Sequence, residues 1–228
     1  MTKVLVFDTE TTGLIPNFDI YNIENTEIDK MPHIIQFSFI QYEIETDDFI
    51  TFADDIIHLE NVVLDEKNIK IHNITTKMIN KSHNQLKLKI IDFMDVYKKS
   101  SYLIGHNINF DIKMLIIELI RLIKTDENKQ LWINYYKLLI KKHIPVYCTM
   151  KNSVKICNIE KINCNGSKYL KYPNLCELYT YLFNKEPKSL HNSFYDCLYT
   201  LICYIKINYN YDVCKKNKTI KYIIKNIN

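Results

Sequence analysis

Residues 4–14 read VLVFDTETTGL, with two carboxylates, Asp8 and Glu10, two places apart behind an apolar run. In a strand, residues i and i+2 project from the same face. If the strand persists that far, Asp8 and Glu10 point together. Like charges that close repel, and burial strengthens the repulsion. A cation between them would relieve it. Alone, a D-x-E at a strand end is ordinary solvated chemistry, so further acids must be sought.

One stands in SYLIGHNINFDIKML, where Asp111 falls in the first turn of an expected helix. That position favours any acid, through the helix dipole. Another stands in SLHNSFYDCLYTLICY, where His191 and Asp196 are five residues apart. Five residues turn an α-helix by about 500°, leaving the two off one face. They converge only if His191 lies on the loop before the helix and Asp196 on its second turn. An isolated histidine is more often a surface or core residue, and His191 gains meaning only from the acids around it.

These residues need a scaffold. Lys3–Phe7 reads as a buried central strand. Residues 15–33 read as irregular, with Pro16 and Pro32 as breakers. Ile34–Tyr42 and Asp48–His58 read as two more strands around a turn at Glu45–Asp47. Residues 67–80 suggest a loop entering a short helix. Gln85–Lys99 and Ile108–Leu122 carry helical periods, with a strand at Ser101–Ile104 ending at Gly105. A further helix follows within 124–143, then a last strand at Ile144–Tyr147. Residues 155–172 read as loop. Pro173–Phe183 and Asn192–Tyr204 read as helices. Gly13 supplies a residue able to take a positive φ after the D-x-E. Strands followed by alternating helices and strands give an α/β domain with a mixed sheet. In such sheets, sites lie beyond the carboxyl ends of the strands.

Composition bounds the rest. The chain has 228 residues, 47% hydrophobic and 25% charged, with three glycines and five prolines. That suits one domain with a real core and no obvious linker. The net charge of +4 permits a polyanionic partner without demanding one. No apolar run reaches membrane-spanning length, and the N-terminus lacks a signal-peptide layout, so a soluble intracellular protein is expected. The seven scattered cysteines show no C-x-x-C spacing and read as reduced thiols. The richness in Ile, Lys, Asn and Tyr matches AT-rich codons. The basic run Lys215–Lys225 therefore reads as a solvated helix face at least as readily as a phosphate track.

Taken in order, D-x-E after the first strand, GHN-x2-FD at a strand–helix junction and H-x4-D on a late helix resemble the DnaQ-like 3′–5′ exonucleases, in the histidine-bearing (DEDDh) subclass. PHIIQFSF, IHNIT and CTM are similar to family segments too, although Asn73 stands where the family usually has glycine. Asn192 occupies the place of the sister subclass's tyrosine. The resemblance covers roughly residues 3–206, leaving 207–228 as a basic C-terminal extension of a single domain.

The resemblance implies a ribonuclease H-like fold, with a central mixed five-stranded sheet flanked by helices. It implies two Mg²⁺ or Mn²⁺ ions held by Asp8, Glu10, Asp111 and Asp196, and His191 as general base. Thr9, Thr12, Leu14, His72, Asn107 and Phe110 would contact the terminal nucleotide; for Leu14 and Phe110, plain packing is an equal reading. The implied activity is hydrolysis from the 3′ end of DNA, single-stranded by preference. Trimming of RNA is the alternative, since the same site serves both. An inactive nucleic-acid-binding module is a third reading. A homodimer is compatible with the resemblance.

Overall fold

The computed structural model describes residues 1–16 and 27–227. The first apolar run does not stop at Phe7. β1 (Lys3–Thr11) carries straight through both acids. It sits at the centre of the sheet, where β2 (Ile34–Glu43) pairs with it antiparallel along its whole length. β3 (Asp48–Ile56) continues the meander on the far side of β2. β4 (Tyr102–Gly105) and β5 (Val146–Cys148) add in parallel on the other side, giving the order β3-β2-β1-β4-β5. This is the expected mixed five-stranded sheet.

Parallel pairing of β1 with β4 needs a crossover. It is made by α1 (Glu66–His72), α2 (Thr76–Lys81) and α3 (Leu86–Tyr97). Residues 67–80, expected as loop then helix, therefore hold two helices. They are separated where Asn73 turns left-handed and Thr75 caps the second. α4 (Asn109–Thr125) and α5 (Lys129–Ile140) lead to β5. Two short helices follow, α6 (Thr149–Asn152) and α7 (Val154–Cys157). The stretch 155–172 is more ordered than the expected loop, because β6 (Glu160–Ile162) and β7 (Lys168–Leu170) pair as a small hairpin. Its residues are exposed on both faces, so no hydrophobic period marked it. α8 (Leu175–Phe183) and α9 (Ser193–Tyr209) are the late helices, the second longer than expected. α10 (Val213–Lys216) and α11 (Lys218–Asn226) close the described chain. Of the stretch 15–33, residues 17–26 lie outside the described residues, and a short 3₁₀ turn occupies Ile28–Lys30.

Alternation along β1 sorts its side chains between two cores. Leu5 and Phe7 face a core shared with α3, α4 and α5. Val4 and Val6 face a second core built with α8 and α9, into which Val213 and Ile220 of the C-terminal helices are also buried. By the same alternation, Asp8 and Glu10 belong to the α9 side and Thr9 to the α4 side.

The three glycines leave few residues for left-handed helix ends. Asparagine takes that role here. Asn73, Asn158, Asn184 and Asn210 each end a helix with φ between 49° and 58°. Asn73 thus does at IHNIT what a glycine would do, since asparagine tolerates this region best among the other residues. Gly13 does not use its freedom; among the described glycines only Gly166 has a positive φ. The turn after Glu10 is instead closed by side chains. Thr11 Oγ1 donates to the Gly13 carbonyl at 2.8 Å and Asn68 Nδ2 to the Thr12 carbonyl at 2.7 Å. No helix among the described residues is long and apolar enough to cross a membrane.

Candidate active site

Asp8 and Glu10 leave β1 on the face that meets the start of α9. There Asp196 lies in the first turn of the helix, one turn earlier than expected. His191 precedes the Asn192 cap, on the loop as expected, in a left-handed conformation (φ 66°). This backbone bend turns the His191 N–H back onto Asp196 Oδ2 at 3.2 Å. Carboxylate oxygens of Asp8, Glu10 and Asp196 lie within 4.8 Å of one another.

Asp111 approaches from the opposite layer. It sits in the first turn of α4, and its Oδ1 accepts both the Thr9 N–H at 3.0 Å and the Thr9 hydroxyl at 2.9 Å. Thr9, the inward residue between the two acids, therefore ties the fourth carboxylate to the strand that carries the first two. Gly105 permits this junction, because a Cβ there would meet Ile108 Cβ at 2.9 Å.

The charges are unbalanced. Among the described residues no lysine or arginine pairs with any of the four acids. Burial, then repulsion from Asp111, Asp196 and Glu10, pushes the Asp8 carboxyl well above the usual range. Burial, then repulsion from Asp196 and Asp111, pushes Glu10 up to about 8. Burial raises Asp111 to about 7 although the two Thr9 bonds pull it down, and raises Asp196 to about 7 against the His191 N–H. Asp196 Oδ1 is buried and has no hydrogen-bond partner. Four oxygen-bearing acids, one with an orphaned oxygen, fit hard divalent cations that take carboxylate and water ligands. Asp8, Glu10 and Asp196 form the closest group, with Asp111 beside them.

The other expected contacts vary. His72 is buried at the end of α1, 5% exposed. Its Nδ1 accepts from the Ile74 N–H at 3.0 Å, so the neutral ring carries its proton on Nε2, which has no partner. Burial and the nearby His191 hold this imidazole below its usual value, and so neutral. Leu14 is 86% exposed beside the turn. Asn107 is exposed and left-handed (φ 65°), and Phe110 packs partly against the α4-side core. Thr12 is engaged with its own scaffold, its N–H on the His33 carbonyl and its hydroxyl accepting the His33 N–H, both at 2.9 Å.

Several positioning residues were not singled out in the sequence. Gln36 and Ser38 of β2 face α9. Ser193 N–H donates to Gln36 Oε1 at 3.2 Å, and the Ser38 and Ser193 hydroxyls meet at 2.6 Å. Asp54 accepts from both Gln36 and Ser38. This network seats the helix start that carries Asp196. His106 ties the β4–α4 junction to α8, with Nε2 donating to the Pro173 carbonyl at 3.1 Å and Nδ1 at 3.0 Å from Thr149 Oγ1. Burial drives its imidazole down to about 4, so it stays neutral. Further out, Glu118 and Arg121 of α4 hold the chain before β2. Arg121 Nη2 donates to the carbonyls of Ile28, Met31 and Pro32, and Glu118 Oε1 accepts the Ile34 N–H. Only the GHN motif hinted at His106; polar residues inside an apolar strand were the readable sign of Gln36 and Ser38.

The chain matches the RNase T exonuclease family over residues 5–204. No curated protein matches it significantly. Among solved structures, E. coli Exonuclease I in complex with a dT13 oligonucleotide is similar over 98% of this chain and 46% of its own, with TM-score 0.57 and 13% identity. Exonuclease I from Methylocaldum szegediense is similar over 97% of this chain and 45% of its own, with TM-score 0.54 and 13% identity. Cell-death related nuclease 4 is similar over 91% and 64%, with TM-score 0.57 and 13% identity. The likeness is one of fold, and this chain spans just under half the length of the Exonuclease I proteins it matches.

Proposed function

The chain belongs to the RNase T exonuclease family, of the DnaQ-like type with a ribonuclease H-like fold, and from that premise we propose that it is a metal-dependent 3′–5′ exonuclease acting on DNA and releasing nucleoside 5′-monophosphates. The observation that carries this reading is the group of Asp8, Glu10 and Asp196, half-buried with the buried Asp111 alongside, to which no lysine or arginine among the described residues is paired. Two Mg²⁺ or Mn²⁺ ions, when bound, would polarise the scissile phosphate and lower the pKa of the attacking water.

The protein's own residues do the rest. Asp8, Glu10 and Asp196 would hold such ions, with Asp111 as the fourth oxygen donor beside them. His191, exposed on its loop beside Asp196, accepts the proton of the attacking water. His72 presents a fixed Nε2–H, which suits an oxygen of the terminal nucleotide. Leu14, projecting beside the Thr9–Thr12 backbone, offers an apolar surface to the terminal base, which tolerates any base. Asn107 and Phe110 flank the same entrance.

The test is digestion of 5′-labelled single-stranded DNA, duplex DNA and RNA with Mg²⁺ or with EDTA, alongside Asp8→Ala and His191→Ala proteins. A 3′-end ladder that needs metal and both residues is expected, strongest on single-stranded DNA. A stronger RNA ladder replaces DNA by RNA as substrate. A folded protein giving no ladder on any substrate overturns the enzyme reading and leaves a binding module.

A further inference from the structure

The basic run 215–225 is divided by the fold. Lys216 turns towards the β2–β3 hairpin, 3.7 Å from Asp47 and over the Tyr211 ring. Lys215, Lys221 and Lys225 turn the other way. With Lys185, from the loop between α8 and α9, they line a pocket of about 370 Å³ against α8. None of these four ammonium groups forms an ion pair among the described residues. The acid in the pocket, Asp212, is already engaged, accepting the Cys214 N–H at 3.0 Å as the cap of α10. Four unpaired like charges gathered in one concavity repel, and a polyanion would relieve that.

The pocket is placed relative to the proposed active site by α8 itself. Leu175, at the start of the helix, lines a small pocket with His191 and Asp196. Phe183, at its end, lines the lysine pocket. Eight residues of helix separate them, about 12 Å. A stacked strand rises about 3.4 Å per nucleotide along its axis, so for a stacked strand the span is about three to four nucleotides. The α3 flank of the sheet has the opposite charge, a groove lined by Asp55, Asp92 and Asp95 in which Lys89 is paired to Asp55 at 3.0 Å. A nucleic-acid strand entering the site is repelled from one flank and drawn to the other.

We infer that the pocket formed by Lys185, Lys215, Lys221 and Lys225 is a phosphate-binding anchor for the substrate strand, engaging it three to four nucleotides behind the 3′ end. The ligand rests on the exonuclease reading; the pocket's affinity for a polyanion does not. The anchor makes binding depend on strand length and salt, and is indifferent to sequence.

The test compares wild type with Lys221→Glu/Lys225→Glu. A control, Lys129→Glu/Lys137→Glu, makes the same charge change on exposed positions of α5, in the opposite helical layer. Unfolding midpoints first establish that each protein is folded. Single-stranded oligonucleotides of 2, 4, 8 and 12 nucleotides are digested with Mg²⁺ to give kcat and KM. A labelled 12-mer is titrated in EDTA at several salt concentrations. For wild type and the α5 control, KM should fall about tenfold between the 2-mer and the 8-mer and then level. In Lys221→Glu/Lys225→Glu that ratio should collapse towards one, 12-mer binding should weaken about tenfold, and the salt slope should shrink by about 1.4, for two lost phosphate contacts. An unchanged length ratio and salt slope, or an equal effect in the α5 control, overturns the anchor. If wild type digests nothing, the exonuclease reading fails, and the EDTA titration alone decides the pocket.

Discussion

Two groups of carboxylates meet on α4 and its surroundings, and they are treated in opposite ways. Glu118 is deep in the α4 layer, yet its charge is fully answered. Burial pushes its carboxyl up, but His33, Arg121 and the Ile34 N–H overcome this and hold it below the usual value. Arg121 lies 2.7 Å away. Two turns earlier on the same helix, Asp111 joins Asp8, Glu10 and Asp196 with no basic side chain among the described residues paired to them, and all four carboxyls are raised. One arrangement is complete within the protein; the other is complete only with something added. The contrast extends to residue type. Arg121 is the only arginine in a chain whose other 29 cationic Lys/Arg positions are lysine. Its planar fork can face a carboxylate and several carbonyls at once, which an ammonium cannot.

The contrast is broken most directly at Asp8. Asp8→Asn should lower kcat by at least about 10³-fold, the scale of losing metal-held charge stabilisation, while raising the melting temperature of metal-free protein by removing repulsion. A variant that loses both activity and metal-free stability would make Asp8 a structural acid like Glu118. The reverse experiment removes Arg121. Arg121→Ala should cost about 3–5 kcal/mol in urea unfolding, because a buried carboxylate loses its partner, and Arg121→Lys should recover only part of this. A negligible cost would mean that the Glu118 site is not closed after all.

Metal sharpens the difference. Mg²⁺ or Mn²⁺ at about 100 times its dissociation constant should stabilise wild type by about 2.7 kcal/mol, and Asp8→Asn much less; equal stabilisation of both would place the ion elsewhere. Thr9→Val removes one of two donors to Asp111 and should reduce activity about 10–100-fold, as loss of an outer partner of a ligand does, with a smaller change in unfolding. The mildest effect is on pH. The four raised carboxyls keep their protons longer in the folded protein than in the unfolded chain. Their contribution to metal-free stability is full below about pH 4 and is lost as pH rises to about 8. Glu118 has the opposite sign, contributing above the ordinary carboxylate range and less as pH falls through it. Metal-free wild type should therefore lose stability from pH 5 to 8, and Asp8→Asn should lose less. A flat or rising curve for wild type would contradict the raised carboxyls.

Much of the site was legible because its signals are local. A strand's period of two placed Asp8 and Glu10 together, and β1 proved long enough to carry both. Asp111 and His191 lie at junctions that glycine, polar caps and helical periods mark in the sequence. The hairpin β6–β7 was not legible, since its residues are exposed on both faces. Nor was the position of Asp196 within its helix, which depends on Asn192 capping two N–H groups one residue before the helix begins.

The sequence by itself determined the sheet's central strand and the long crossover helix α3, because periodicity is a property of short segments, and it offered the four acids and the histidine as candidates through their order along the chain, which resembles the family's. Only the tertiary structure decided which charges would be answered. Glu118 reads no differently from Asp111 along α4, but the chain before β2 folds back onto Arg121 and the His33 backbone locks Thr12. The four acids, brought from β1, α4 and α9, meet where no such cation arrives among the described residues. Pairing of charges depends on distances across the sheet, and residues more than a hundred positions apart set them.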